Sequence, residues 1–167
     1  MYTHEAVFNE NPSERMMCLT GKVLFLTKDP RLIRKQLEGE QSVSWVDPND
    51  LVDAISTDHI IPNSACISSN TAEQLAEYLL TGLPGEIIKK GDIRKGGFEA
   101  LVAGNSFGRG SSREHAQLAL LGNNIKYIVA GGFERIFREN CRNYGILTMN
   151  GHNQELAKRL ISKQTLK

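Results

Sequence analysis

The sequence predicts an α/β domain, and three observations carry the prediction. Short apolar runs of strand length recur at Val23–Leu26, Phe98–Ala103 and Ile125–Ala130. Each is followed, after turn residues, by a segment whose apolar positions have helical spacing. The chain has 167 residues, 40% hydrophobic and 23% charged, which is the length of one domain with material for a substantial core.

Taken in order, residues 1 to 18 contain the polar, turn-forming stretch Asn9–Arg15 and are expected to form a loosely ordered extension, leaving 19 to 167 as a single domain. Val23–Leu26 is the first strand. Pro30 is placed to open a helix that carries Leu32, Ile33 and Leu37 inward until Gly39 ends it. Val43 to Val46 suits a further strand. Asn70 and Glu73 form a capping pair for a helix through Leu75, Tyr78, Leu79 and Leu80, stopping at Gly82, and Pro84-Gly85 marks a turn. Phe98–Ala103, apolar apart from Glu99, reads as a buried strand, and Gln117 to Leu121 as a helix that stops at Gly122. Ile125–Ala130 is another buried strand, leading through Gly131-Gly132 into a helix with Ile136 and Phe137 inside that ends near Gly145. Asn153 is placed to cap a last amphipathic helix with Leu156, Leu160 and Ile161 on its inner side.

Composition narrows the function. Twenty basic and nineteen acidic side chains leave a formal charge of +1 with no long run of either sign, so neither nucleic acid nor an anionic membrane surface is suggested as a partner. A small ligand is expected instead. No apolar stretch approaches a membrane span, and Met1–Ala6 lacks the regions of a signal peptide, so the expected location is cytoplasmic. Cys18, Cys66 and Cys141 are widely spaced without a C-x-x-C, and read as free thiols rather than as a disulfide framework, a zinc site or an iron–sulfur motif. His4, His59, His115 and His152 show no H-x-x-x-H spacing. The chain by itself is expected to bind no metal.

The chemistry is concentrated between Gly104 and Ala116, in the run GNSFGRGSSREHA at a strand-to-helix junction. Its glycines sit where the chain must turn sharply and let a ligand approach the backbone. Ser111 and Glu114 fit the S-x-x-E capping box, which places Ser112 and Arg113 in the first helical turn, where free N–H groups and the helix dipole attract anions. Arg113 adds a planar fork matched to a carboxylate. Three familiar motifs overlap the segment. A P-loop needs lysine where Ser111 stands, and a dinucleotide fingerprint needs a third glycine where Arg113 stands. Gly104-Asn105-Ser106-Phe107-Gly108 matches the nucleophile elbow of a hydrolase, but no Asp follows Ser106, so a triad would need a Glu such as Glu134 with His152.

Two blocks carry a family resemblance. The run from Ala103 through Ser111-Ser112-Arg113-Glu114-His115-Ala116 to Ile136–Leu147 resembles the small, swivelling domain of the aconitase and isopropylmalate isomerase superfamily. Ser56–Pro62, reading STDHIIP, is similar to the T-D-x-I-x-P segment of the same family, and the two blocks stand in the family's order over roughly residues 20 to 150. The resemblance implies a three-layer β/β/α swivelling domain. It also implies a chemistry, the removal and readdition of water across a C–C bond beside carboxylates, on a 4Fe-4S cluster whose cysteines belong to the larger domains. This chain lacks them. It is therefore expected to be the separate small subunit of a heteromeric hydro-lyase, holding no cofactor itself, with the cluster in a large partner subunit and the active site at their interface.

Residue by residue, the resemblance implies that Ser111 is the base that takes the α-proton, while Ser112 and Arg113 bind substrate carboxylate. Amide N–H groups of the glycine turn are the kind of donors that could stabilise a serine alkoxide. Asp58 is implied as a site residue that orients a partner side chain, and His59 is given no role. From the residues alone, Ser111 reads as an N-cap, Arg113 as a solvated first-turn side chain and Asp58 as a loop residue bonding nearby backbone. Asn105, Asn140 and Asn143 are expected to tie turns and helix ends. The loop after Pro62, with Ser64, Ala65, Cys66, Ile67, Ser68 and Ser69, is expected to reach the variable part of the substrate. It carries no arginine, which family members accepting an extra carboxylate commonly place there, so the expected substrate is isopropylmalate rather than an aconitate or homoaconitate. An aconitase-like small subunit for another hydroxy acid, and a carboxylate-binding domain without a catalytic partner, stay open.

Overall fold

Four parallel strands in the order β1-β3-β5-β6 carry the architecture: β1 is Lys22–Phe25, β3 Phe98–Val102, β5 Tyr127–Ala130 and β6 Leu147–Asn150. The computed structural model describes residues 21–43, 45–69, 71–111 and 113–151. The proposed N-terminal extension, Cys18, His4, Asn70, Ser112, His152 and the helix expected after Asn153 all lie outside these. Every residue of β3 is buried, as a strand covered on both faces must be. Glu99 within it is 3% exposed and is paired with Lys126 Nζ at 2.7 Å, which makes a charge tolerable there.

Alternation along the strands divides the core in two. Leu24, Leu26, Leu101, Ile128 and Ala130 face the larger cluster, which all the long helices join. Phe25, Ala100, Val102 and Val129 face a smaller one with Leu51, Val43 and Val46. Val43 and Val46 were expected in a strand. They cover this second face as irregular chain, because packing against the sheet satisfies their side chains without a ladder.

The first helix, α1 (Pro30–Leu37), has Pro30 in its first turn and Asp29 as its N-cap, accepting from Arg31 N–H at 2.9 Å. Ile33 is buried as predicted, and Gln36 exchanges two 2.9 Å hydrogen bonds with the backbone of Phe25, fastening the helix to edge strand β1. A 3-10 turn at Pro48–Asp50 leads to β2 (Ile55–Ser56) and then to α2 (Thr57–Ile60) and α3 (Asn63–Ser68). The segment read as a specificity loop is thus helix over most of its length. Ser68 Oγ donates to Ser64 C=O at 3.0 Å along it.

The next helix, α4 (Ala72–Ala76), is shorter than predicted, and Thr71 caps it by accepting from Gln74 N–H. Leu80 leaves the helix because its backbone, at φ 62°, turns to donate to Ile60 C=O at 2.7 Å and holds α2 in place. After α5 (Asp92–Gly96) and β3, a three-residue strand β4 (Phe107–Arg109) runs parallel to β2 and forms the second sheet. The remaining helices are α6 (Glu114–Gly122), packed on α4, and α7 (Arg135–Asn143). In α7, Phe137 and Cys141 are buried, but Ile136, expected inside, is 49% exposed, since a residue one step from the inward pair points away from it. The expected α/β class is borne out, as two parallel sheets with a helical face. Among the described residues no helix is long and apolar enough to cross a membrane.

Candidate active site

Three chain segments end side by side. Strand β4 pairs with β2 on one flank, and on the other Phe107 N–H donates to Gly132 C=O at 2.9 Å while Glu134 N–H donates to Phe107 C=O at 3.0 Å. All three run parallel, so the helices that come after them, α2, α6 and α7, begin next to one another. The carboxyl ends of parallel strands are where open α/β sheets bind ligands. Beneath lies an aromatic floor of Phe107 against Phe133 and Phe137, with ring centroids 6.0 and 5.5 Å apart.

A cleft of about 210 Å³ opens at this point. It is lined by Thr57, Gly108, Gly110, Arg113 and Gln117, by Glu134 at the N-cap of α7, and by Arg135, Ile136, Phe137 and Asn140 of α7. Neither α6 nor α7 has a side-chain cap, so two helix N-termini reach the cleft with amide donors that their own helices cannot satisfy. Gly108 is buried at φ 83°, and a Cβ there would enter the ring of Phe137. Only glycine lets β4 pass this close.

Two fingerprint blocks, 55 positions apart, meet here: Arg113 Nη1 donates to Asp58 Oδ1 at 2.5 Å. The Arg113 side chain is 21% exposed and Asp58 is 64% exposed, so the arginine is half enclosed while its partner stands in solvent. Thr57 Oγ1 donates to Ser111 C=O at 3.0 Å, tying the Ser111 backbone to the start of α2. His59 accepts from Ser56 N–H through Nδ1 at 3.2 Å, and His59 N–H donates to Ser56 Oγ, forming the capping box of α2. That accounts for His59, and it makes the TDHI segment a helix rather than the loop that the residues alone suggested for Asp58.

The capping box expected at Ser111 and Glu114 is not formed. The α6 helix begins at Glu114 with Arg113 as its uncapped N-cap in extended conformation, so Ser111 stands before the helix and Arg113 outside its first turn. Glu114 instead accepts from the hydroxyl of Tyr144 at the end of α7, which raises the tyrosine's pKa. Ser111 is exposed and follows Gly110 of the lining, but is not itself one of the residues that line the cleft. Of the α3 segment, no side chain lines the cleft. Cys66 of this segment feels both Arg113 and Asp58; burial pushes its thiol up, and the guanidinium pulls it partly back.

The elbow reading of Ser106 fails at the next element. Ser106 has the left-handed backbone of an elbow serine, at φ 62°, but leads into strand β4 and not into a helix. Among the described residues no three His, Cys, Asp or Glu side chains form a metal-ligand set; Cys141 is buried, with its pKa pushed by that burial up to about 12. Sequence reasoning missed Gln117, Ile136 and Asn140 as cleft residues. Their only signal was the helical periodicity of α6 and α7, which does not tell a cleft face from a core face.

Comparison with known proteins points the same way. Residues 85–154 match the family model described as the aconitase C-terminal domain. The chain is 38% identical over 103 residues to the 3-isopropylmalate dehydratase small subunit of Methanosarcina acetivorans, covering 62% of this chain and 60% of that one. It is 42% identical over 94 residues to 3-isopropylmalate dehydratase small subunit 1 of Thermotoga maritima, covering 56% and 54%. The crystal structure of a 3-isopropylmalate dehydratase from Methanocaldococcus jannaschii superposes with a TM-score of 0.51 at 31% identity, covering 62% of this chain and 59% of that one. The chain thus spans only about half to three-fifths of the length of the relatives it matches, and the resemblance read from its two blocks is borne out.

Proposed function

We propose that this chain, a relative of the aconitase C-terminal domains, is the small subunit of a two-part hydro-lyase that interconverts 2- and 3-isopropylmalate by dehydration and rehydration. The observation that carries the reading is the meeting of Arg113, Asp58 and two uncapped helix N-termini at one cleft, in a chain similar to proteins of that name. A cleft so lined attracts carboxylates.

Asp58 holds Nη1 of Arg113, which fixes the plane of the guanidinium fork that receives a substrate carboxylate. Ser111, held by its carbonyl, presents its hydroxyl as the base for the α-proton, and Ser112 supports carboxylate binding. The amide donors at the start of α6 lower the cost of the alkoxide that such a base requires. The α3 segment bears on Arg113 through Cys66 and offers no cation, which disfavours a substrate with a further carboxylate.

The missing part of the site belongs to a large iron–sulfur subunit docked over the cleft. A 4Fe-4S cluster in that subunit would supply Lewis acidity; among the described residues of this chain no ligand set for it is formed. The complex is expected in the cytoplasm. Co-expression with the large subunit and assay against a panel of hydroxy acids tests the proposal. Dehydration of isopropylmalate by the complex and by neither part alone is the expected result, and activity of this chain alone would overturn it.

A further inference from the structure

Among the described residues the exposed large apolar side chains are Trp45, Ile67, Leu121, Ile136 and Leu147, and of these Ile136 lines the cleft. Its placement comes from the geometry of α7. Phe137 and Cys141, four apart, form the face turned to the core, and Ile136 and Asn140, also four apart, form a second face turned to the cleft. The surface that α7 gives the cleft thus includes one branched aliphatic group next to one amide, with Glu134, Arg135 and Phe137 also on the lining. A hydroxy acid with a carboxylate at Arg113 can lay a neutral branched substituent against the isoleucine, whereas a charged group set on that side chain would be desolvated without gaining a partner from it.

We infer that Ile136 is a specificity-determining residue, the wall against which the branched alkyl substituent of the hydroxy acid packs. The inference rests on the substrate class proposed above and adds to it a positive contact, where α3 supplies only the absence of a cation. Packing an isopropyl group on Ile136 covers part of both from water, and because the isoleucine is half exposed the whole contact is worth roughly tenfold in discrimination.

The test uses the complex with its large subunit and two ligands that differ only in that substituent, 2-isopropylmalate and malate, with dissociation or inhibition constants measured for each. Ile136→Ala is expected to weaken 2-isopropylmalate by roughly tenfold relative to malate, with malate unchanged within about twofold, and Ile136→Val to fall between. Because the side chain is exposed, thermal melting should show the variants folded as the wild type. An unchanged ratio of the two constants, or an equal loss for both ligands, would overturn the inference while leaving the proposed activity intact. Failure of the wild-type complex to bind either ligand would overturn the activity and this inference together.

Discussion

Gly108 and Gly110 offer a controlled measurement of how tightly the site is built. Both have positive φ, 83° and 96°, so alanine at either adopts a left-handed backbone at a cost of about 1–2 kcal/mol. Their surroundings differ. At Gly110 the nearest atom to an added Cβ is Thr57 Oγ1 at 3.4 Å, an ordinary contact. At Gly108 the Cβ would overlap Phe137, a residue 3% exposed whose ring packs tilted against Phe107, so it cannot swing aside without opening the core. Overpacking of that kind adds about 1–3 kcal/mol. Gly110→Ala should therefore lose about 1–2 kcal/mol and Gly108→Ala about 2–5 kcal/mol. Urea unfolding with a shared m-value reads the difference directly, and the melting temperature should fall by about 2–4 °C for each kcal/mol. Equal losses in the two variants would mean that Phe137 yields freely, and would refute the account of why β4 passes so close to α7.

Other expectations rest on the site. Ser111→Ala in the reconstituted complex should lower kcat sharply while stability moves by less than about 0.5 kcal/mol, because the side chain is exposed and caps no helix; near-normal turnover would remove Ser111 from the chemistry. Asp58→Asn should cost less than about 1 kcal/mol of stability, as an exposed pair does, yet raise KM by freeing the Arg113 fork. If KM stayed constant, Asp58 would not orient Arg113. Arg113→Lys should weaken carboxylate binding more than it slows turnover, since a point charge cannot replace the fork, and kinetics across a pair of substrates reads this. For Cys141, folding raises the pKa from an ordinary 9.0 to about 12, so the unfolded chain loses its thiol proton first. Stability from this group is complete below pH 9 and is lost as pH rises toward 12, by at most about 1.4 kcal/mol per pH unit. Alkaline denaturation of wild type and Cys141→Ala should show the shallower slope in the variant; identical slopes would place the thiol in water.

Much of the fold was legible in local sequence. Pro30, the apolar runs at Val23, Phe98 and Ile125, and the helix stops near Gly122 and Gly145 act through backbone preference and burial within a few neighbours, and those elements formed. Elements that exist only through pairing were not legible. The two residues of β2 and three of β4 have no strand signature of their own, and β6 is half exposed, so its sequence shows no buried run. The site divides in the same way. The residue types at Asp58, Ser111 and Arg113 were readable because their chemistry is carried by identity and spacing. Their geometry was not: helix α6 starts two residues later than the capping pattern indicates, since the Ser111 carbonyl is held by Thr57 and Glu114 by Tyr144, both far away in sequence. The sequence by itself determined which groups this chain brings and the strands and helices that carry most of them. Only the tertiary structure decided that Arg113 faces Asp58 and that Ile136 turns to the cleft, because both depend on how β2, β4 and the segment before α7 align, and that alignment is a balance of long-range packing.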